Sequence, residues 1–245
     1  MGAKGGVGAS TLVVNLAAAA GQQGDQPEEQ RNHGWVGVVD LRPGLGTVAL
    51  LLGQPPRGGW EKLLRRSIDS LDQETVESQI STHASGLRYL PASLQLASDR
   101  IALPPGYVEV VLNRLAENAD CLFLDLGSVL DQATRHAIAH CDAVVVVVEP
   151  ERLCLTLAQV LLEKIKALDA APDDLRVVLV QRLKTDSAYS QQQVEDLLGR
   201  RLAGIVSPAA LIVREALERG QPAVLSHPAA EISRQIRDLS QALLA

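Results

Sequence analysis

The chain has 245 residues, of which 47% are apolar and 21% charged, values that give a folded domain with a sizeable core and exclude disorder as the main state. Its net charge of −6 excludes a nucleic-acid footprint spread over the whole surface, and a 2% aromatic content excludes recognition by stacked bases. Three cysteines, Cys121, Cys141 and Cys154, lack C-x-x-C spacing, so they read as small apolar residues rather than a disulfide or metal framework. No signal peptide and no apolar run long enough to span a bilayer is visible, and a cytoplasmic, soluble protein is expected.

In chain order, the first feature is a glycine loop, Gly2–Thr11 (GAKGGVGAST), running into a helix over Ser10–Ala20. Gly21–Gly34 is polar and punctuated by glycine and proline, and reads as an exposed flexible loop. Near-continuous apolar runs follow at Trp35–Asp40, Leu87–Leu90, Cys121–Asp125, Ala143–Glu149 and Arg176–Gln181, with a weaker one at Gly204–Val206. Such runs are those of parallel strands buried on both faces. Between them lie helical stretches at Trp60–Arg66, Glu74–Ser81, Gly106–Asn118, Asp131–His140, Leu155–Leu168, Ser190–Leu198, Leu211–Arg219 and Ala230–Leu244. This alternation predicts one domain over residues 1–245: an α/β fold, doubly wound, with a mostly parallel sheet and helices on both faces. A phosphate-binding loop ordinarily leaves the end of a central strand, yet this one starts at residue 2. Either a first strand is missing, or its position in the sheet is open.

The loop carries the chemistry. Glycines at positions 5, 6 and 8 let backbone N–H groups turn inward, and the following helix N-terminus adds positive potential, which suits a di- or triphosphate. The bland alternative is an ordinary tight turn. The dinucleotide fingerprint fails because Thr11 stands where a third glycine is needed.

Lys4-Gly5-Gly6-Val7-Gly8-Ala9-Ser10-Thr11 resembles the deviant Walker A motif of the MinD/ParA ATPases, and within them the CpaE/TadZ branch associated with pilus assembly. Val38–Leu41 with Gly46–Gly53 resembles the switch I segment, and Leu124–Ser128 the Walker B/switch II segment. Val144–Pro150 is similar to the strand ending in Glu-Pro, and Arg214–Pro222 to the closing segment. The resemblance implies a P-loop NTPase-like fold that binds ATP or ADP with Mg²⁺ and closes into a homodimer on ATP. By position, Lys4 would reach the partner's phosphates, Ser10 would ligate Mg²⁺, and Asp125 would hold it through water. Asp40 would sit near the metal as a catalytic group, Gln181 and Arg182 would flank adenine, and Pro208 would wall the base pocket. Pilus or secretion-machinery proteins are the implied partners, with polar or membrane-associated placement through them. The rival readings are a nucleotide-independent scaffold with a decayed site, and an ATPase that positions chromosomes or septa.

Two departures stand out. Ala9 replaces the lysine that grips the β- and γ-phosphates, a loss of about 1.5–3 kcal/mol, or roughly ten- to a hundredfold in affinity. Arg42 stands two residues after Asp40, where the family has an acid that orients water, and a guanidinium accepts no hydrogen bond. Weak or absent hydrolysis follows. Because the paired changes keep the site from becoming more negative, Arg42 is a candidate to replace the lost lysine, against the alternative of a surface arginine on a drifting loop.

Other candidates fall away. His136 and His140 are spaced i, i+4 but lack a third metal ligand. The stripe Ile232, Ile236, Leu239 and Leu243 predicts packing of the last helix on the domain, not membrane insertion. Arg200, Arg201, Arg214, Arg219, Arg234 and Arg237 read as a solvated face rather than a DNA surface.

Overall fold

A computed structural model describes residues 1–23, 34–42, 46–56, 58–92, 103–182 and 189–244. The N-terminal half comprises α1 (Ala9–Gln23), β1 (Trp35–Asp40), α2 (Val48–Leu51), α3 (Trp60–Leu63), α4 (Gln73–Glu77), β2 (Ser81–Thr82), β3 (Arg88–Leu90) and α5 (Pro105–Ala116). The remainder comprises β4 (Ala119–Asp125), α6 (Gln132–Ala139), β5 (Ala143–Val148), α7 (Arg152–Lys166), β6 (Asp174–Val180), α8 (Gln191–Leu198), β7 (Leu202–Val206), α9 (Ala210–Glu218), α10 (Ala223–Ser226) and α11 (Glu231–Leu244). The α/β architecture with a mostly parallel sheet is as the alternation predicts; only the β2–β3 pair is antiparallel among the described strands.

Local chemistry starts and stops these helices. Asp72 caps α4 by accepting from Thr75 N, and Asp131 caps α6 by accepting from Thr134 N. Ser190 and Gln193 form a reciprocal capping box on α8, which ends at Gly199 in a left-handed conformation. Three boundaries differ from expectation. Residues 21–23 extend α1 instead of opening a loop, and 24–33 lie outside the described residues. The segment expected as a helix to Ser81 stops at Glu77, because Ser81 and Thr82 pair with Tyr89 and Arg88 on β3. Helices α2 and α10 are single turns too short to leave a periodic signal.

Strand order is β2-β3-β1-β4 in one sheet and β5-β6-β7 in the other. Between the facing edges of β4 and β5 runs the N-terminus. Met1 N donates to Val145 O at 2.6 Å, Val147 N to Met1 O and Ala3 N to Val147 O at 2.9 Å, and Gly2 N to Gly127 O at 2.7 Å. Residues 1–3 thus fill only the end of a strand-wide slot. The rest is an apolar groove of about 590 Å³, lined by Leu12 and Leu16 of α1, Leu122–Leu124 of β4, Val144 and Val145 of β5, and Leu243 of α11. No strand among the described residues precedes the glycine loop.

The core is built of Ala, Val and Leu around α1, whose Ala17 and Ala19 are fully buried. Ile232, Ile236 and Leu239 of α11 are buried, so the last helix packs on the domain as expected. Ser240 Oγ donates to Leu16 O, and Asn15 Oδ1 accepts from Val224 N, tying α1 to α11 and α10. Gly53 and Gly220 touch through their Cα atoms, and a Cβ on either would stand 2.6–2.7 Å from the other. Both have positive φ, so this contact between the turn after α2 and the turn after α9 needs glycine twice.

Candidate functional site

Parallel pairing sets the site's chemistry. The β1–β4 register places Asp40 opposite Asp125 at the C-terminal ends of adjacent strands. Both carboxylates are buried. Burial, with the charge of Asp125 second, pushes the Asp40 carboxyl up to about 7, although N–H bonds from Val48 and Arg42 pull the other way. Those bonds, at 3.0 Å to Oδ2 and 3.1 Å to Oδ1, engage both Asp40 oxygens. Asp40 therefore pins the segment after β1. Asp125 Oδ1 accepts from Gly127 N at 3.1 Å, while its buried Oδ2 has no partner among the described residues.

Above these acids lies a groove of about 380 Å³ at the N-terminus of α1, lined by Gly2, Lys4–Thr11, Arg42, Thr47, Leu51, Gly127, Ser128 and Arg182. Gly6 and Gly8 have φ of 83° and 89°, which turns successive N–H groups toward the groove. A Cβ on Gly5 or Gly8 would meet nothing within 4 Å, so the loop faces open space there. Val7, buried, anchors the loop to the core. The expected residues Lys4, Gly5, Gly6, Val7, Gly8, Ala9, Ser10, Thr11, Arg42 and Arg182 thus come together. Gln181 and Pro208 do not line this groove; they stand outside it past the ends of β6 and β7, where Gln181 N donates to Val206 O.

Arg42 is not a surface arginine on a drifting loop. Its Nη1 donates to Ser10 Oγ at 3.0 Å and to Thr47 Oγ1 at 3.3 Å. Its stem lies on Gly127, where an added Cβ would stand 3.2 Å from Arg42 Cδ. Lys4 Nζ, expected to face a partner, is held by its own chain: Glu149 Oε2 at 3.0 Å and Glu151 Oε1 at 2.9 Å. The hydrogen bonds that Lys4 donates to Glu151 and then Glu149 raise its pKa. Glu149 also pairs with Arg182. Sequence reasoning singled out the Glu-Pro strand end but not this Lys4–Glu149–Arg182 link, because pairs this far apart leave no spacing signal. Thr47 and Gly127 were likewise missed as groove residues.

The residues present fit a phosphate chain but not a directly held Mg²⁺. Ser10 Oγ already accepts from a guanidinium, and a divalent ion held by that hydroxyl would face like charge, a repulsion on the order of several kcal/mol even at an effective dielectric near 20. Both Asp40 oxygens are engaged, leaving Asp125 Oδ2 as the available carboxylate oxygen beneath the loop among the described residues. His136 and His140 each bond a carbonyl of their own helix, and no metal-binding cluster of His, Cys, Asp or Glu occurs among the described residues.

Comparison with known proteins agrees with this geometry. The family model described as AAA domain matches residues 1–177. An uncharacterized ATP-binding protein of Methanocaldococcus jannaschii is 24% identical over 242 residues, covering 98% of this chain and 84% of that protein. The structure of a ParA family ATPase from Chlorobium tepidum superposes with a TM-score of 0.86 at 21% identity, over 98% of this chain and 96% of that one. The septum site-determining protein MinD of Pyrococcus horikoshii, complexed with Mg-ADP, superposes with a TM-score of 0.79 at 20% identity, over 98% and 92%. The chain belongs to the AAA-domain family, and its fold is that of the ParA and MinD ATPase structures.

Proposed function

We propose that this member of the MinD/ParA group is an ATP- and ADP-binding switch with weak or absent hydrolysis. It closes as a homodimer and acts as a positioning or assembly factor for pili or secretion machinery, in the manner of the CpaE/TadZ branch. The observation that carries the reading is the open glycine cradle at the N-terminus of α1, with the Arg42 guanidinium set into the same groove. Backbone N–H groups and the helix end bind the phosphate chain, and Arg42 supplies the forked cation that Ala9 lacks. The ATP-binding relative and the Mg-ADP complex of a neighbour support the ligand class. Resemblance of the loop and closing segments supports the branch.

Hydrolysis needs a group that orients water. Arg42 accepts no hydrogen bond, and Asp40 spends both oxygens on backbone N–H groups, so Asp40 serves as a positioning residue. Dimer closure requires Lys4 to exchange Glu149 and Glu151 for the partner's phosphates. The protein acts in the cytoplasm, reaching a pole or membrane through its partners; no described helix is long and apolar enough to cross a bilayer.

A nucleotide-independent scaffold is the second reading, favoured by the intrachain capture of Lys4. Calorimetric titration with Mg-ATP and Mg-ADP separates the two: saturable binding supports the switch, and none supports the scaffold. Phosphate release near the ~10 s⁻¹ of a median enzyme, abolished by Asp125→Ala, would overturn weak hydrolysis.

A further inference from the structure

We propose that the Arg42 guanidinium takes the place of the divalent cation, so that the groove binds a nucleoside di- or triphosphate without magnesium. The proposal rests on the nucleotide reading above. One nitrogen, Nη1, faces both Ser10 Oγ at 3.0 Å and Thr47 Oγ1 at 3.3 Å, the hydroxyls that flank the groove. A guanidinium has five N–H donors in a rigid fork. With Nη1 spent on the hydroxyls, Nε and Nη2 remain to meet phosphate oxygens two at a time.

The surrounding structure holds this cation in place. Asp40 accepts the backbone N–H of Arg42 itself, so the buried carboxylate fixes the residue's starting point on the strand end. Gly127 leaves the space its stem occupies. The other cations of the groove are already neutralised: Lys4 by Glu149 and Glu151, and Arg182 by Glu149. Position 9 contributes no charge, and no ion pair of the Arg42 guanidinium occurs among the described residues. Among the described residues, the positive charge free to face a phosphate chain is therefore Arg42, at the hydroxyl a metal would need.

The test measures affinity for a fluorescent ADP analogue by anisotropy, in excess EDTA and in excess Mg²⁺. The native chain is expected to bind in both buffers, with dissociation constants within about threefold. Arg42→Gln keeps a donor for Ser10 and similar bulk while removing the charge, and thermal melts establish that it folds. In that variant a gap of about tenfold or more is expected to open between the buffers, about 1.4 kcal/mol, with magnesium now favoured. Native binding that is lost in EDTA and present in Mg²⁺ overturns the proposal and leaves the nucleotide reading standing. A folded Arg42→Gln protein whose affinities match the native chain in both buffers overturns it too. Absence of binding in both buffers overturns the nucleotide reading, and the proposal with it.

Discussion

Adding a short apolar extension ahead of Met1, about four residues of valine and isoleucine, is expected to stabilise the fold strongly. Gly2 bridges Val147 in a parallel register, so the added residues would run back beside Ala143–Val145 and along the open edge of β4. They would enter the 590 Å³ groove, whose two faces are covered by α1 with α11 and by α5. Burying about four β-branched side chains at ~2 kcal/mol each gives about 8 kcal/mol. Four backbone hydrogen bonds at ~1 kcal/mol add about 4, and ordering the segment costs about 7. The net is about 5 kcal/mol, which for this chain length raises Tm by roughly 10–20 °C. Differential scanning calorimetry against a Gly-Ser extension of equal length gives the comparison. Equal Tm values for the two extended chains would refute the strand-slot reasoning.

Restoring the family lysine tests whether Arg42 and position 9 serve one phosphate. Arg42→Ala should weaken ATP binding by about tenfold, and Ala9→Lys should rescue that variant yet add little to the native chain; additive effects in the calorimetric double-mutant cycle would contradict it. Lys4→Ala should weaken ATP-dependent dimerisation in sedimentation velocity while Tm changes by only a few degrees, since Arg182 still pairs with Glu149. Identical dimer constants with and without ATP would contradict the role of Lys4. The Asp40 carboxyl, about 7 in the folded state against an ordinary 3.8, makes the folded state bind more protons between these values. Its contribution to stability is therefore lost as pH rises from about 4 to 7, by an upper bound of roughly 4 kcal/mol, and Asp40→Asn should flatten that slope in urea titrations.

Sequence alone determined what short-range physics controls. The apolar runs located β1, β5 and β6 within a residue or two, because a strand buried on both faces must be apolar throughout. The stripe of α11 was legible for the same local reason. So was the glycine cradle, since the positive φ of Gly6 and Gly8 is a property of the residues themselves. Tertiary structure alone decided what these pieces do to one another. Strand register set Asp40 beside Asp125, and folding carried Arg42 onto Ser10, 32 residues away. It also gave Lys4 to Glu149 and Glu151, a pairing across more than 140 positions that no periodicity encodes, because charges meet through space and not along the chain.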